Sequence, residues 1–364
     1  MRIGWAWLLL PLFLGGCWDR VELENRTFVL ALGVDKVGEG LALSIAPAVP
    51  HVPQGNMADT DVEASDEGET GEAGDPPGDT QAAASFPEAL HALNRHSSRD
   101  VFLGQAKTVV LGTDLLGDAT AFRHVMYALD HHRDIDLRIG ILATAEDVSS
   151  VLDAHPSGEA KPGYYVANYY RIVPKSGGRA FYQDFQRLTA QLRTPGAALV
   201  PLVSPESNGG LKIAGAAVMA QGQMVGQLDG DTLRGVLWSQ GGMCRGALLS
   251  PAGEIPLEVR KHRARLRFTE NENGLRCIID VRVCAEATLK EARREGVPLP
   301  PQACPYENFI AQEVLAAVAA AQAMDADIFR LEDALRRFQP HLYAKYKAGF
   351  NAAQVEVVPL VQVV

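Results

Sequence analysis

The sequence predicts an α/β (α+β) protein of three domains, with mixed sheets flanked by helices and antiparallel hairpins in the second and third domains. Three observations carry this. Apolar runs containing β-branched residues alternate with amphipathic stretches of helical spacing from Thr27 to Leu192, the order in which a sheet acquires layers of helix. Further on, two pairs of apolar runs are joined by Gly-containing turns, Gln221-Gly222-Gln223 and Thr269 to Gly274, the pattern of hairpins. The chain has 364 residues, 47% hydrophobic and 21% charged; that exceeds one domain of about 150 residues and can bury cores without disulfide staples.

The chain opens with Met1-Arg2, an uncharged run rich in Trp and Leu from Ile3 to Leu14, and then Gly15-Gly16-Cys17. The run falls short of the roughly 20 residues that span a bilayer and ends in small residues, as a cleaved export signal does. Small residues directly before Cys17 resemble a bacterial lipobox. Residues 1–16 are therefore expected to be a removed signal peptide and Cys17 a lipid-modified first residue. Its acyl chains would contribute about 0.8 kcal/mol of membrane attachment per buried CH₂. The rest of the chain then lies outside the cytoplasmic membrane.

The first domain is expected over residues 17–205. Thr27 to Val34 and Leu41 to Val49 flank Val37-Gly38-Glu39-Gly40, a hairpin. From Pro50 to Ala84 large apolar residues nearly vanish and Gly, Asp, Glu, Pro and Thr dominate; such composition does not offset the entropy of ordering, so residues 50–84 read as a disordered acidic loop. Ser85-Phe86-Pro87-Glu88 has capping-box spacing and opens a helix. Lys107 to Leu111 reads as a strand, Ala119 to His132 as a helix, Ile135 to Ala143 as a strand, and Thr144 to Asp147 as the start of another short helix. Gly178 to Leu192 carries Phe181, Phe185, Leu188 and Leu192 at helical spacing before Pro195-Gly196.

A small ββα domain is expected over residues 206–245, from strands Leu211 to Ala220 and Met224 to Leu228 and a helix Leu233 to Trp238. The third domain, residues 250–364, begins with long strands Ile255 to Phe268 and Leu275 to Ala287. An Ala-rich helix Tyr306 to Met324 follows, continued or restarted through Asp327 to Phe338. Val355 to Val364 is almost wholly apolar, which suits a strand in the middle of a sheet.

The charges exclude some function classes. The net charge is −10, yet nine carboxylates between His51 and Ala84 stand without a Lys or Arg, and without them 35 acidic residues face 34 basic ones. The folded part is thus near neutral, and nothing points to nucleic acid. Cys244, Cys277, Cys284 and Cys304 show no zinc spacing. Cys277 and Cys284 fall on opposite faces of one strand, about 23 Å apart, so free thiols are expected. Asp130-His131-His132-Arg133-Asp134-Ile135-Asp136 crowds imidazoles with carboxylates, but adjacent histidines diverge by about 100° on a helix and suit a solvated C-terminus. His262, Arg263, Arg265 and Arg267, alternating with Ala264, Leu266 and Phe268, set several cations on one strand face; near a membrane such a face could meet anionic headgroups. The pairs Gly177-Gly178, Gly209-Gly210 and Gly241-Gly242 lack a phosphate-loop frame. No serine elbow or HExxH occurs. No enzyme activity, catalytic residue, cofactor or metal is expected.

In order, these pieces resemble the Ger(x)C family of spore germination lipoproteins, the C subunits of nutrient germinant receptors. The resemblance rests on Gly16-Cys17-Trp18-Asp19-Arg20-Val21-Glu22-Leu23 and on the hairpin Phe28 to Lys36. It extends through Gly104 to Gly112, Arg133 to Arg138, Ile213 to Val218, and Ala326-Asp327-Ile328-Phe329 where members carry a D-I-F motif. Two departures are Gln105, where members usually carry His, and a long acidic loop. The resemblance implies a three-domain α/β protein anchored by lipid on the outer face of the spore inner membrane. It would act with a multi-pass A subunit and a transporter-like B subunit in receptor assembly and germination signalling. Only Cys17 carries over as a functional residue. The alternative is a solute-binding lipoprotein delivering a small molecule to a transporter, which would need two lobes around a cleft.

Overall fold

The structure, a computed structural model, describes residues 22–48, 80–154, 162–172, 178–241, 244–272, 274–287, 303–346 and 353–363. Strands β1 (Arg26–Val37) and β2 (Gly40–Pro47) form the expected hairpin. Strand β3 (Thr80–Ala83) pairs antiparallel with β2, so the last residues of the expected acidic loop are an edge strand, where Ser44 and Thr80 join their hydroxyls at 2.8 Å. Next come α1 (Phe86–His96), β4 (Asp100–Phe102), β5 (Thr108–Gly112), α2 (Thr113–Gly117), α3 (Ala119–His131), β6 (Gly140–Thr144), α4 (Val148–Leu152), α5 (Pro162–Ile172) and α6 (Phe185–Leu192). β7 (Ala198–Pro205), β8 (Leu211–Ala220), β9 (Gln223–Leu228) and α7 (Gly230–Trp238) complete this half. The C-terminal half holds β10 (Leu248–Leu249), β11 (Leu257–Asn271), β12 (Gly274–Ala287), α8 (Cys304–Ala323), α9 (Leu331–Phe338), α10 (Pro340–Lys345) and β13 (Gln354–Val363).

Among the described residues the first sheet runs β3-β2-β1-β5-β6-β7-β8-β9, with β4 beside the start of β1. It is mixed: β1, β5, β6 and β7 are parallel neighbours, and hairpins close both ends. Helices cover both faces because the central strands are apolar on both. Leu32, Val109 and Ile141 meet Leu93 of α1 and Phe122 and Val125 of α3 on one side. Ala31, Val110 and Leu142 meet Val151, Val166 and Tyr170 of α4 and α5 on the other. The β8–β9 turn, Gln221-Gly222, has φ of 53° and 85°, the left-handed pair that a two-residue hairpin loop demands.

The second sheet has the order β10-β11-β12-β13. Its inner face packs on α7 and α8, and this core reaches Leu199, Ala216 and Val218 of the first sheet, so one apolar cluster joins the two halves. The β8–β9–α7 unit thus extends the first sheet with its strands and enters the second core with its helix. Gly235 lets α7 and α8 touch: a Cβ there would stand 2.2 Å from the Glu313 carbonyl oxygen.

Three expected elements differ. The strand expected over Ile135 to Ala143 starts only at Gly140, because Asp136 accepts the Arg138 N–H at 2.8 Å in a side-chain turn that competes with a ladder. The helix expected from Gly178 starts at Phe185, since the Gln183 carbonyl accepts the Ile141 N–H and Asp184 caps the helix by accepting the Arg187 N–H. The closing strand is an edge strand, parallel to β12; its apolar residues are shared between the core, through Val361, and an outer face where Val358 and Leu360 are 41% and 57% exposed.

Candidate functional site

Cys17 and the nine carboxylates from Asp59 to Asp79 lie outside the described residues. The imidazole-rich segment is described, and its histidines join a groove between α1 and α3, a cavity of about 830 Å³. Phe86 and Leu90 line one wall and Tyr127 the other, with His91, His124 and His131 around them. Sequence reading missed His91, which lies far from the Asp130–Asp136 cluster in the chain, and His124, which precedes it on the same helix. The helical spacing of His124 and His131 was the available signal.

The groove's charges are spent locally. Asp118 accepts the Thr120 and Ala121 N–H groups at the start of α3 and the Lys36 ammonium at 2.7 Å. The Lys36 hydrogen bond, with the two backbone donors, holds its carboxyl at about 2. The Tyr127 and His131 rings stack with centroids 3.9 Å apart. His132 is pushed down by burial, and its Nδ1 accepts the Asp134 N–H. Asp136 is engaged by Arg138. Among the described residues no three His, Cys, Asp or Glu side chains converge as a metal-holding group. The groove offers apolar walls and imidazoles, a recess for binding.

The cation-rich strand face is real, with one correction. His262 shares the parity of Ala264 and Phe268 and points inward, 6% exposed. Its Nε2 lies 2.9 Å from the Trp238 carbonyl oxygen and its Nδ1 accepts the Cys244 N–H at 3.4 Å. That arrangement fits the neutral ring, and burial lowers its pKa. Lys261, Arg263, Arg265 and Arg267 stand on the opposite, outer face of β11, joined by Arg276 and Arg282 of β12. Among the described residues no helix covers this face.

Inside the second core, Glu313 of α8 is the hub. It faces Arg234 Nε at 3.0 Å and the Trp238 indole N–H at 2.7 Å, both from α7. The D-I-F segment is a joint between halves. The Asp327 carboxylate caps α9 by accepting the Leu331 and Glu332 N–H groups at 2.9 Å, its carbonyl accepts the Ala197 N–H, and Ile328 and Phe329 are buried. Arg330, in the left-handed region at φ 57°, donates to the Gln191 and Ala197 carbonyls. All four described cysteines are free thiols. Cys277 faces the core, where burial pushes it up to about 12, and Cys284 lies on the outer face.

Comparison with known proteins places this architecture. Residues 19–205 match the profile of the spore germination protein N-terminal domain, and residues 214–364 match that of the spore germination B3/GerAC-like C-terminal domain. YfkR of Bacillus subtilis strain 168, whose name assigns it to spore germination, is 21% identical over 380 aligned positions, covering 98% of this chain and 94% of the relative. The crystal structure of the GerBC protein superposes with a TM-score of 0.54 at 14% identity, over 95% of this chain and all of that one, a likeness of fold.

Proposed function

The chain belongs to the Ger(x)C family of spore germination proteins in both its halves, and from that premise we propose that it is the lipid-anchored C subunit of a nutrient germinant receptor. It is held at Cys17 on the outer face of the spore inner membrane. There it supports receptor assembly and signalling with a multi-pass A subunit and a transporter-like B subunit, and performs no catalysis. The observation that carries the reading is the pair of family matches, over residues 19–205 and 214–364, the first of which begins two residues after Cys17. The charge patterning agrees: carboxylates such as Asp118, Asp184, Asp229 and Asp327 serve as helix caps, and Glu313 serves as a core ion-pair partner.

Attachment at one end changes the energetics of assembly. Confinement to a bilayer raises the local concentration of the membrane partners, so individually weak contacts suffice. The test is fractionation of the exported protein expressed without its partners. The unaltered chain is expected in the membrane pellet and to incorporate labelled palmitate, and Cys17→Ala to be exported yet soluble. Continued pelleting of the variant would contradict the anchor.

A further inference from the structure

We propose that the outer face of the C-terminal sheet is a docking surface for the anionic phosphate headgroups of a phospholipid bilayer. The proposal rests on the membrane attachment proposed above and adds which face of the protein meets the lipid.

The register of β11 and β12 creates the surface. A strand sends alternate side chains to opposite faces, so Lys261, Arg263, Arg265 and Arg267 leave β11 on the side away from the core. Arg282 stands directly opposite Arg263, and Arg276 opposite Thr269. Two of these six cations are neutralised, Arg267 by Asp280 at 2.8 Å and Arg276 by Glu356. Lys261, Arg263, Arg265 and Arg282 form no ion pair among the described residues. A chain whose basic and acidic residues otherwise nearly balance therefore gathers four cations without a salt bridge on one sheet face, an excess of positive charge that remains with Asp280 opposite Arg265 and with Glu258 and Glu286 sharing Arg260 at one end of the ladder.

Two features suit this face to headgroups. Like charges directly across a ladder destabilise a sheet, so the Arg263–Arg282 pair is a cost that an anion between the two guanidinium groups removes. A recess of about 470 Å³ lies among Arg263, Arg265, Arg267, Asp280 and Arg282, and the planar guanidinium fork is the side chain that best matches phosphate oxygens. Beside it on β13, Leu360 stands opposite Arg282 and Val358 opposite Asp280, both markedly exposed. Cations next to apolar side chains on an open sheet face complement a bilayer surface, where phosphates and the first methylenes are both within reach.

Cys284 reports on the contact. It sits on this face, opposite Lys261 on one side and Gln362 on the other, whereas Cys304 is exposed at the start of α8. The full-length lipid-modified protein is placed on vesicles of phosphatidylcholine alone and on vesicles with one-third phosphatidylglycerol, and maleimide labelling of each cysteine is followed by peptide mapping. Cys284 labelling is expected to fall several-fold on the anionic vesicles while Cys304 labelling is unchanged. The triple variant Arg263→Gln, Arg265→Gln, Arg282→Gln should restore labelling to the neutral-vesicle rate. Single substitutions should each weaken the protection by about fivefold at low salt, and the melting temperature checks that every variant folds.

Equal Cys284 labelling on both kinds of vesicle, with the protein attached to both, overturns the proposal. So does equal protection by dissolved inorganic phosphate without vesicles, which would make the recess a site for a free ion. Failure to attach to neutral vesicles refutes the anchor instead. The docking face is then judged by arginine-dependent co-sedimentation with anionic vesicles, and its absence overturns the inference.

Discussion

Replacing Glu313 by alanine tests the electrostatic hub that ties α7 to α8. Its carboxylate faces the Arg234 Nε at 3.0 Å through both oxygens, takes a second contact from the Arg234 guanidinium, and accepts the Trp238 indole N–H at 2.7 Å. Arg234 is 7% exposed and Trp238 fully buried. Removing one partner of a buried ion pair costs about 3–5 kcal/mol because the other charge stays buried, and a stranded buried N–H costs about 1–3 kcal/mol more. Asp231, 3.7 Å from Arg234 but largely exposed, and entering water offset part of this. The expected loss is about 4 kcal/mol, a large share of the roughly 5–15 kcal/mol that a domain has. Urea unfolding, followed by tryptophan fluorescence and far-ultraviolet circular dichroism, measures it. The double variant Arg234→Met with Glu313→Leu removes both charges and should recover most of the loss. A cost for Glu313→Ala below about 1 kcal/mol, or a double variant as unstable as the single one, would refute the reasoning.

Two further outcomes follow from the cores. Tyr170 is fully buried, and its hydroxyl donates to the Ile141 carbonyl at 2.8 Å while accepting the Gln183 N–H at 2.8 Å; Tyr170→Phe strands that N–H and should cost about 1–3 kcal/mol in urea midpoint analysis, and an unchanged midpoint would show that water or the backbone replaces the hydroxyl. Burial lowers the pKa of His262 below its ordinary 6.5, so the unfolded chain binds that proton first. The stability His262 confers is therefore complete above about pH 6.5 and is lost as pH falls through its folded value. His132, lowered in the same way, adds to this slope. In His262→Gln the dependence of the urea midpoint on pH below about 6.5 should flatten, and an identical slope would mean the imidazole is not buried as neutral.

What the sequence disclosed and what it hid divide along the range of the interactions involved. Elements whose cause is local were legible. The β1–β2 hairpin follows from Gly38 between two apolar runs, α3 from the helical stretch Ala119 to His132, and the β8–β9 turn from Gln221-Gly222. Misread elements had causes distant in the chain. Gln183 resembles the interior of a helix until Ile141 and Tyr170 claim its backbone, and β13 reads as a central strand because no local signal says that β12 is its sole neighbour among the described residues. Thr80 to Ala83 shares the composition of the acidic stretch before it and becomes a strand only because β2 offers a free edge.

The candidate surfaces obey the same division. Alternation alone placed Arg263, Arg265 and Arg267 on one face, since all three lie within a single strand. Arg282 and Arg276 were assigned to that face only by the β11–β12 register, and the exposed apolar rim only by β13 lying at the edge. The groove's His91 belongs to α1, and the packing of α1 beside α3 is what brings it to His124. A surface that recognises a partner is assembled from several elements, whereas the anchor proposed at Cys17 rests on consecutive residues. A membrane-tethered subunit can therefore be legible in how it is held and illegible in what it touches, which is why the vesicle experiment must read orientation at Cys284 rather than attachment alone.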